Sequence, residues 1–207
     1  MKLFKIVVGP IQTNCYIVSD GASGRAVVID PGEEPEKICA ELDKLCLVPE
    51  AVFLTHGHYD HVTALPNLVC AAGKPVYLHK DDLFLVSGAV TKLAPLLGFC
   101  AVPLSGLLTV EDGQRFKAAG LEIKIIHTPG HTPGGVCLYL ESENTLFSGD
   151  TLFYRDCGRV DLPLGSEEKM ASSLRKLLAL PGEVKVYPGH GRSTTIADER
   201  KTFADIL

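Results

Sequence analysis

Apolar residues along this chain fall into short runs broken by Gly, Pro, Asn and Asp, a rhythm that predicts many strands with helices between them. Strands are expected at Leu3 to Val8, Cys15 to Ser19, Ala26 to Ile29, Ala51 to Leu54, Leu121 to Ile126, Val136 to Leu140, Thr145 to Phe147 and Val184 to Tyr187. A further short strand, Val76 to Leu78, precedes His79. Helical spacing marks Pro35 to Leu47, roughly His61 to Ala72, and Glu167 to Leu180, where Met170, Leu174, Leu177 and Leu178 follow the cap candidate Ser166. Thr195 to Leu207 predicts a short closing helix. A strand meander followed by interleaved helices predicts a mixed α/β (α+β) fold, with sheet packed on helices in layers. No composition break or Ser/Gly-rich linker interrupts the chain, so a single domain over residues 1–207 is the expectation.

The chain is 46% hydrophobic, enough for a sizeable core, yet its apolar stretches fall well short of the roughly 20 residues that cross a bilayer. The start, MKLFKIVVGPIQTN, turns polar at Gln12, Thr13 and Asn14, so neither a membrane span nor a secretory leader is expected. A net charge of −5 with mixed signs offers no basic footprint for nucleic acid, which leaves a small-molecule substrate. The seven cysteines are odd in number and none forms a Cys-x-x-Cys pair, so neither a disulfide framework nor a thiolate metal site is indicated. Cys39 and Cys46, in a helix-like run with Ile38, Leu42 and Leu45, read as free thiols of a reducing cytoplasm.

The chemistry concentrates in THGHYDH, Thr55 to His61, which sets His56, His58, Asp60 and His61 within six positions. A lone histidine is usually a core residue bonded to backbone, but a cluster points to metal. The other metal-competent residues lie just past strand ends: His131 after Leu121 to Ile126, Asp150 after Thr145 to Phe147, His190 after Val184 to Tyr187. Ligand loops at the carboxyl ends of strands can converge on one point. Gly and Pro punctuate each of them, in TPGHTPGG, SGD and PGHG, supplying sharp turns and close backbone approach. Five histidines and two aspartates are too many for one tetrahedral ion with an open position and suit two ions sharing a carboxylate. His56 and His58 can face one ion, Asp60 and His61 the other, with Asp150 the natural bridge.

Together VIDPG ending β-like residues at Asp30, THGHYDH, TPGHTPGG, SGDTLF and PGHG resemble the metallo-β-lactamase superfamily along most of the chain. The resemblance implies a four-layer αββα sandwich with metals at one edge of the two sheets. It also implies that His56, His58 and His131 hold one ion, that Asp60, His61 and His190 hold a second, and that Asp150 bridges them. Asp30 would orient histidines rather than ligate, while His127 and His79 lie outside the implied set. Two divalent ions, zinc first with iron or manganese as alternatives, would lower the pKa of a shared water from about 15.7 toward about 7, with Asp60 orienting it.

Within that superfamily the chain resembles the glyoxalase II group, hydrolases of thioesters such as S-lactoylglutathione, because SGDTLF is followed by Cys157, Gly158 and Arg159 and then by PGHG. Full-length glyoxalase II carries a further C-terminal helical domain that grips glutathione; with seventeen residues after His190, this chain resembles the short single-domain enzymes. Arg159 and, more weakly, Tyr154 and Arg155 are the candidates for substrate contact, and Arg192 stands where larger relatives carry an aromatic residue. No proton donor is needed for a leaving thiolate whose conjugate acid has a pKa of about 8.5. The rival implied by RDCGRVD, Arg155 to Asp161, is a mononuclear iron persulfide dioxygenase using His56, His131 and Asp150. Hydrolysis of lactones, β-lactams or phosphodiesters is a lesser alternative. The segment from Lys80 to Leu108 is open as a substrate wall or a partner surface, a role for Cys157 is open, and so is the oligomeric state.

Overall fold

Two six-stranded sheets, each covered by helices on its outer face, make up the computed structural model, which describes residues 1–86 and 107–206. The first sheet runs β1 (Lys2–Val8), β2 (Thr13–Ser19), β3 (Arg25–Ile29), β4 (Val48–Phe53), β5 (Val76–His79), β6 (Leu107–Val110) in spatial order. The first three strands form the expected antiparallel meander, and β3 to β6 are parallel. The connections from β3 to β4 and from β4 to β5 carry α1 (Pro35–Lys44) and α2 (Tyr59–Val62). Short α3 (Leu83–Val86) follows β5. The second sheet comprises β7 (Arg115–Ala118), β8 (Leu121–His127), β9 (Val136–Leu140), β10 (Thr145–Gly149), β13 (Lys185–Pro188) and β14 (Thr194–Thr195), paired in that order. A small hairpin, β11 (Leu152–Phe153) with β12 (Asp156–Cys157), stands apart; α4 (Glu167–Leu178) and α5 (Ile196–Thr202) complete the fold.

Strand alternation explains the layers, because successive side chains point to opposite faces. In β3, Ala26 and Val28 join α1 residues Ile38 and Leu42 in one core, while Val27 and Ile29 face the second sheet. In β9, Val136, Leu138 and Leu140 meet them across the sheet interface, while Cys137 and Tyr139 turn outward to Met170, Leu174 and Leu177 of α4. Burial on both faces makes β2 and β3 near-continuous apolar runs, and the result is the expected αββα sandwich. Ser166 caps α4 as expected, its hydroxyl accepting from the Lys169 amide. Among the described residues no helix is long and apolar enough to cross a membrane.

The helix expected from His61 to Ala72 does not form. One α-turn, Tyr59–Val62, gives way to 3₁₀ turns at Leu65–Asn67 and Val69–Ala71. Pro66 is the reason, since it lacks the amide a helix interior needs and its ring strikes the preceding turn. The closing helix is likewise shorter than expected, Ile196–Thr202 with a 3₁₀ turn at Ala204–Ile206. Strands β6 and β7 carried too weak an alternation to be read from sequence; both are half-exposed. The segment Lys80 to Leu108 begins with a 3₁₀ turn and α3, and residues 87–106 of it lie outside the described residues.

Cys39 is not a free thiol, contrary to the sequence expectation: it is bonded to Cys70, tying α1 to the second 3₁₀ turn across 31 residues. Odd cysteine parity hides one bridge among free thiols, and the contact is made only when α1 packs over that turn. Closing a loop of this length stabilises a fold by about 3–4 kcal/mol on loop-entropy grounds. Cys39→Ser and Cys70→Ser should each lose that amount in urea unfolding, matching the wild type under reductant. Equal midpoints for oxidised and reduced wild type would rule the bridge out as a stabiliser.

Candidate metal centre

The seven side chains marked in the sequence, His56, His58, Asp60, His61, His131, Asp150 and His190, converge at one edge of the sandwich. His56 and His58 leave the end of β4, and His58 immediately precedes α2, whose first turn presents Asp60 and His61. His131 sits in the loop between β8 and β9, Asp150 follows β10, and His190 follows β13. Gly149 turns the chain at φ +49°, and a Cβ there would strike the Thr55 side chain. A Cβ on Gly158 would overlap the Asp150 carbonyl oxygen, so both glycines are required by close packing of the ligand loops.

The contacts are those of a single donor array. His58 Nδ1 lies 2.9 Å from His131 Nε2, and His61 Nε2 3.4 Å from His190 Nε2. Asp150 lies 3.6 Å from His61 Nε2 and from His131 Nε2, and 3.4 Å from His190 Nε2. Asp60 Oδ2 is 3.3 Å from His190 Nε2 and 3.4 Å from His61 Nε2. Three overlapping groups have donor atoms within 4.8 Å of one another: His56, His58, His131; His56, His61, Asp150; and Asp60, His61, His190. His56 and His61 each belong to two of them.

Hydrogen bonds behind the array set the imidazole tautomers. His131 Nδ1 donates to the Arg159 carbonyl at 2.7 Å, and His61 Nδ1 to Asp30 Oδ2 at 3.0 Å. The Thr55 hydroxyl gives its proton to Asp30 Oδ2 at 2.7 Å and so accepts from His56 Nδ1 at 3.1 Å. In their neutral forms all three rings therefore turn an unprotonated Nε2 toward the centre, the arrangement that suits a metal ligand. Asp30 also accepts the Thr55 amide at 2.8 Å and takes a left-handed φ of +51°, which Asp tolerates better than most residues. His56 Nε2 and Asp150 Oδ1 are buried with no hydrogen-bond partner. Two orphaned acceptors inside an N and O donor array are what bound cations would satisfy, so the residues present fit divalent metal.

Electrostatics divide the array. Burial, reinforced by neighbouring imidazoles, holds His56 well below its ordinary value and His58 down at about 4. Burial pulls the same way at His61 and His190, but Asp150, Asp30 and Asp60 overcome it at His61, raising it to about 9, and Asp150 with Asp60 raise His190 to about 10. For both carboxylates burial works upward, yet His190, His61 and Thr13 hold Asp60 low, and His61, His190 and His131 hold Asp150 low. The carboxylate side therefore retains protons at neutral pH where a cation would otherwise stand. Metal uptake must expel them, so apparent metal affinity should rise as pH is raised toward 9 and fall as it is lowered. Calorimetry in buffers of differing ionisation enthalpy reads that proton release directly; an affinity flat between about pH 6 and 8 would contradict it.

Several supporting residues carried no signal in the sequence. Thr13 donates to Asp60 Oδ2 at 2.9 Å from 47 positions away. Asn14 Nδ2 donates to the Pro188 and Gly191 carbonyls, and the Tyr16 hydroxyl to Pro188 O at 2.6 Å, so β2 of one sheet holds the His190 loop of the other. Buried Asp82 accepts from Gly57 N, Thr132 Oγ1 and Gly134 N, clamping the His56/His58 loop to the His131 loop. Local sequence shows only an acidic pair after a strand.

His79 and His127 remain outside the array. Their rings stack at 4.1 Å and 9°, and with Asp81 they form a separate group whose donor atoms lie within 4.8 Å of one another. A cavity of about 620 Å³ opens over the cluster, walled by Ile11, Tyr59, Phe153, Cys157 and Leu162, with Asp156 and Arg159 beside it. The Arg159 guanidinium is engaged by Asp161 at 2.7 and 2.8 Å. Tyr154 lines the neighbouring cavity instead, beside Arg155.

Comparison with known proteins agrees with this geometry. The model of the metallo-beta-lactamase superfamily matches residues 8–190. The chain is 34% identical to the hydroxyacylglutathione hydrolase GloC of Haemophilus influenzae over 206 residues, covering 98% of this chain and 96% of that one. Among solved structures, TTHA1623 in a di-iron-bound form is 42% identical with a TM-score of 0.86, covering 96% of this chain and 98% of that one. BLEG-1 B3 metallo-beta-lactamase is 36% identical, also with a TM-score of 0.86, covering 97% of each chain. With its family motifs gathered at the edge of an αββα sandwich, this chain belongs to the metallo-beta-lactamase superfamily.

Proposed function

We propose that the chain is a dinuclear metal-dependent hydrolase of thioesters such as S-lactoylglutathione. The observation that carries the metal part is the pair of orphaned buried acceptors, His56 Nε2 and Asp150 Oδ1, within a seven-residue N and O array. His56, His58 and His131 would hold one ion, Asp60, His61 and His190 the other, and Asp150 both. Zinc suits these donors, as do iron and manganese, and TTHA1623 is known in a di-iron form. When bound, such ions supply an acidified water and Lewis acidity toward a carbonyl oxygen.

The chain's own residues supply orientation. Asp60, fixed by Thr13, would orient the attacking water, and Asp30 and the Arg159 carbonyl keep His61 and His131 in register. The choice of a thioester rests on what the cavity lacks. Among the described residues outside the histidines, its protic groups Tyr59 and Cys157 are both raised above their ordinary values, chiefly by burial, so neither is an acid matched to neutral pH. A thiolate leaves without such help, whereas an amine or alkoxide leaves less readily. Similarity to GloC favours the same class. Arg159, beside the metal cavity, and Tyr154, in the neighbouring one, are the first candidates for contact with the substrate's body.

Elemental analysis of protein purified without added metal, paired with an S-lactoylglutathione assay on the same sample, tests the reading. Two metals per chain with turnover support it. One iron per chain, oxygen consumption on glutathione persulfide and no thioester turnover would replace it with a dioxygenase. β-Lactam turnover in place of thioester turnover would retain the metal pair and overturn the substrate.

A further inference from the structure

Seven arginines occur in the chain, and five of them place the guanidinium on an oxygen. Arg25 meets Glu50, Arg115 meets Glu122 and Glu141, and Arg159 meets Asp161. Arg175 and Arg200 donate to backbone carbonyls of Ile206 and Leu178. Among the described residues the remaining two, Arg155 and Arg192, have neither a carboxylate nor a carbonyl on the guanidinium, and both pack on one ring. The Arg192 guanidinium carbon lies 3.5 Å from the Tyr154 ring centroid, and that of Arg155 lies 5.2 Å from it.

Their position is built. Arg155 occupies the tip of the β11–β12 hairpin in a left-handed conformation, φ +56°, which is strained for a non-glycine residue. Its amide is pinned at 2.9 Å to Glu199, a fully buried carboxylate that also accepts from Thr194 Oγ1 at 2.6 Å. Backbone strain held by a buried anchor marks a tip whose direction matters. The residue before Tyr154, Phe153, walls the metal cavity and sets its ring 6.3 Å from that of His190. Arg192 lies two residues past His190. The two cations thus sit within two residues of Phe153 and His190, and Arg155 lines a second cavity of about 550 Å³ together with Tyr154, Glu199 and Lys201. The nearby acid Asp198 is paired with Lys201 and Thr195 and feels the charge of Arg155 as a weaker, through-space attraction.

Arginine stacked on an aromatic ring keeps its in-plane N–H groups free for an anion while the ring limits its motion. Resting on the thioesterase reading above, we infer that Arg155 and Arg192, steadied by Tyr154, form a subsite for an anionic group on the thiol half of the substrate, a carboxylate or a phosphate. The reaction adds water across the acyl C–S bond: a C–O bond forms, the C–S bond breaks and the sulfur takes the electron pair; of water's two protons one passes through solvent to the thiolate and the other is released to solvent as the carboxylic acid ionises. The subsite holds the departing half and takes no part in that exchange.

Three thioesters with one acyl group test it: S-lactoylglutathione, whose thiol carries carboxylates; lactoyl-coenzyme A, whose thiol carries phosphates; and lactoyl-N-acetylcysteamine, whose thiol is uncharged. Arg155→Gln/Arg192→Gln should lower the preference in kcat/KM for an anionic over the uncharged thiol by about tenfold, through KM, as expected for loss of charge-assisted contacts. Whichever anionic substrate loses more identifies the group. An unchanged preference for both overturns the subsite. Calorimetric titration with S-methylglutathione and S-methyl-coenzyme A reads the subsite without turnover. Binding that the double variant weakens, in a wild type inactive on all three thioesters, would overturn the hydrolase reading and retain the anion subsite. Hydrolysis with an unchanged preference would do the reverse, and neither binding nor hydrolysis would overturn both.

Discussion

Asp150→Asn should reduce thioester turnover by about 10²–10³-fold, the range seen when one electrostatic element of a reaction centre is removed. The side chain keeps its shape and loses its charge, so the fold should persist and circular dichroism should match the wild type. Asp150 is the carboxylate that reaches furthest across the array, with oxygens 3.6 Å from His131 and His61 and 3.4 Å from His190. Its Oδ1 is one of the two orphaned acceptors, and an amide replaces one of its two oxygens with a donor that has no acceptor to meet. Metal stoichiometry should fall along with kcat/KM. A variant with two metals and full turnover would remove Asp150 from the reaction centre. Asp60→Ala should show a comparable loss of turnover with the fold retained.

A second large effect is expected at a residue proposed to touch no metal. Asp30→Asn preserves volume and tolerates the left-handed backbone, so any change comes from hydrogen bonding. Asp30 accepts from Thr55 N, Thr55 Oγ1 and His61 Nδ1. The new amide donor faces one of these donors whichever way it turns. Relief comes by flipping the His61 tautomer, which puts the ring's proton on Nε2 and takes its lone pair away from the array. Metal affinity, read by competition with a chromophoric chelator, should drop about 10–100-fold. A buried donor left unpaired also costs about 1–3 kcal/mol of stability. Unchanged affinity with lowered stability would make Asp30 a purely architectural residue.

The residues bearing metal-type donors were legible in the sequence because their motifs are local. His56, His58, Asp60 and His61 lie within one turn of chain after a strand, and each remaining donor sits beside the glycine or proline that bends its loop. Strand and helix periodicity repeats every two or 3.6 residues, so the layered class was legible for the same reason. Prediction failed where a local signal was overruled or absent. Pro66 broke a helix whose apolar spacing looked continuous, and β6 and β7 lacked a buried face to advertise them.

What the chain's sequence determined by itself, then, is its donor set, its turns and a layered α/β class, the two-sheet sandwich following from the resemblance its motifs carry. Tertiary structure alone decided which atoms face the centre: Thr55 and Asp30 turning the histidine tautomers, Thr13 on Asp60, Asp82 clamping two loops, and Tyr16 reaching across to Pro188. It also decided that Cys39 is bridged to Cys70 and that Arg159 is spent on Asp161 while Arg155 and Arg192 are not. The physical reason is range: backbone propensity and side-chain periodicity act over a few residues, whereas these contacts mostly join positions far apart in the chain. Nothing marks such partners until the sheets stack and bring their edges within hydrogen-bond distance.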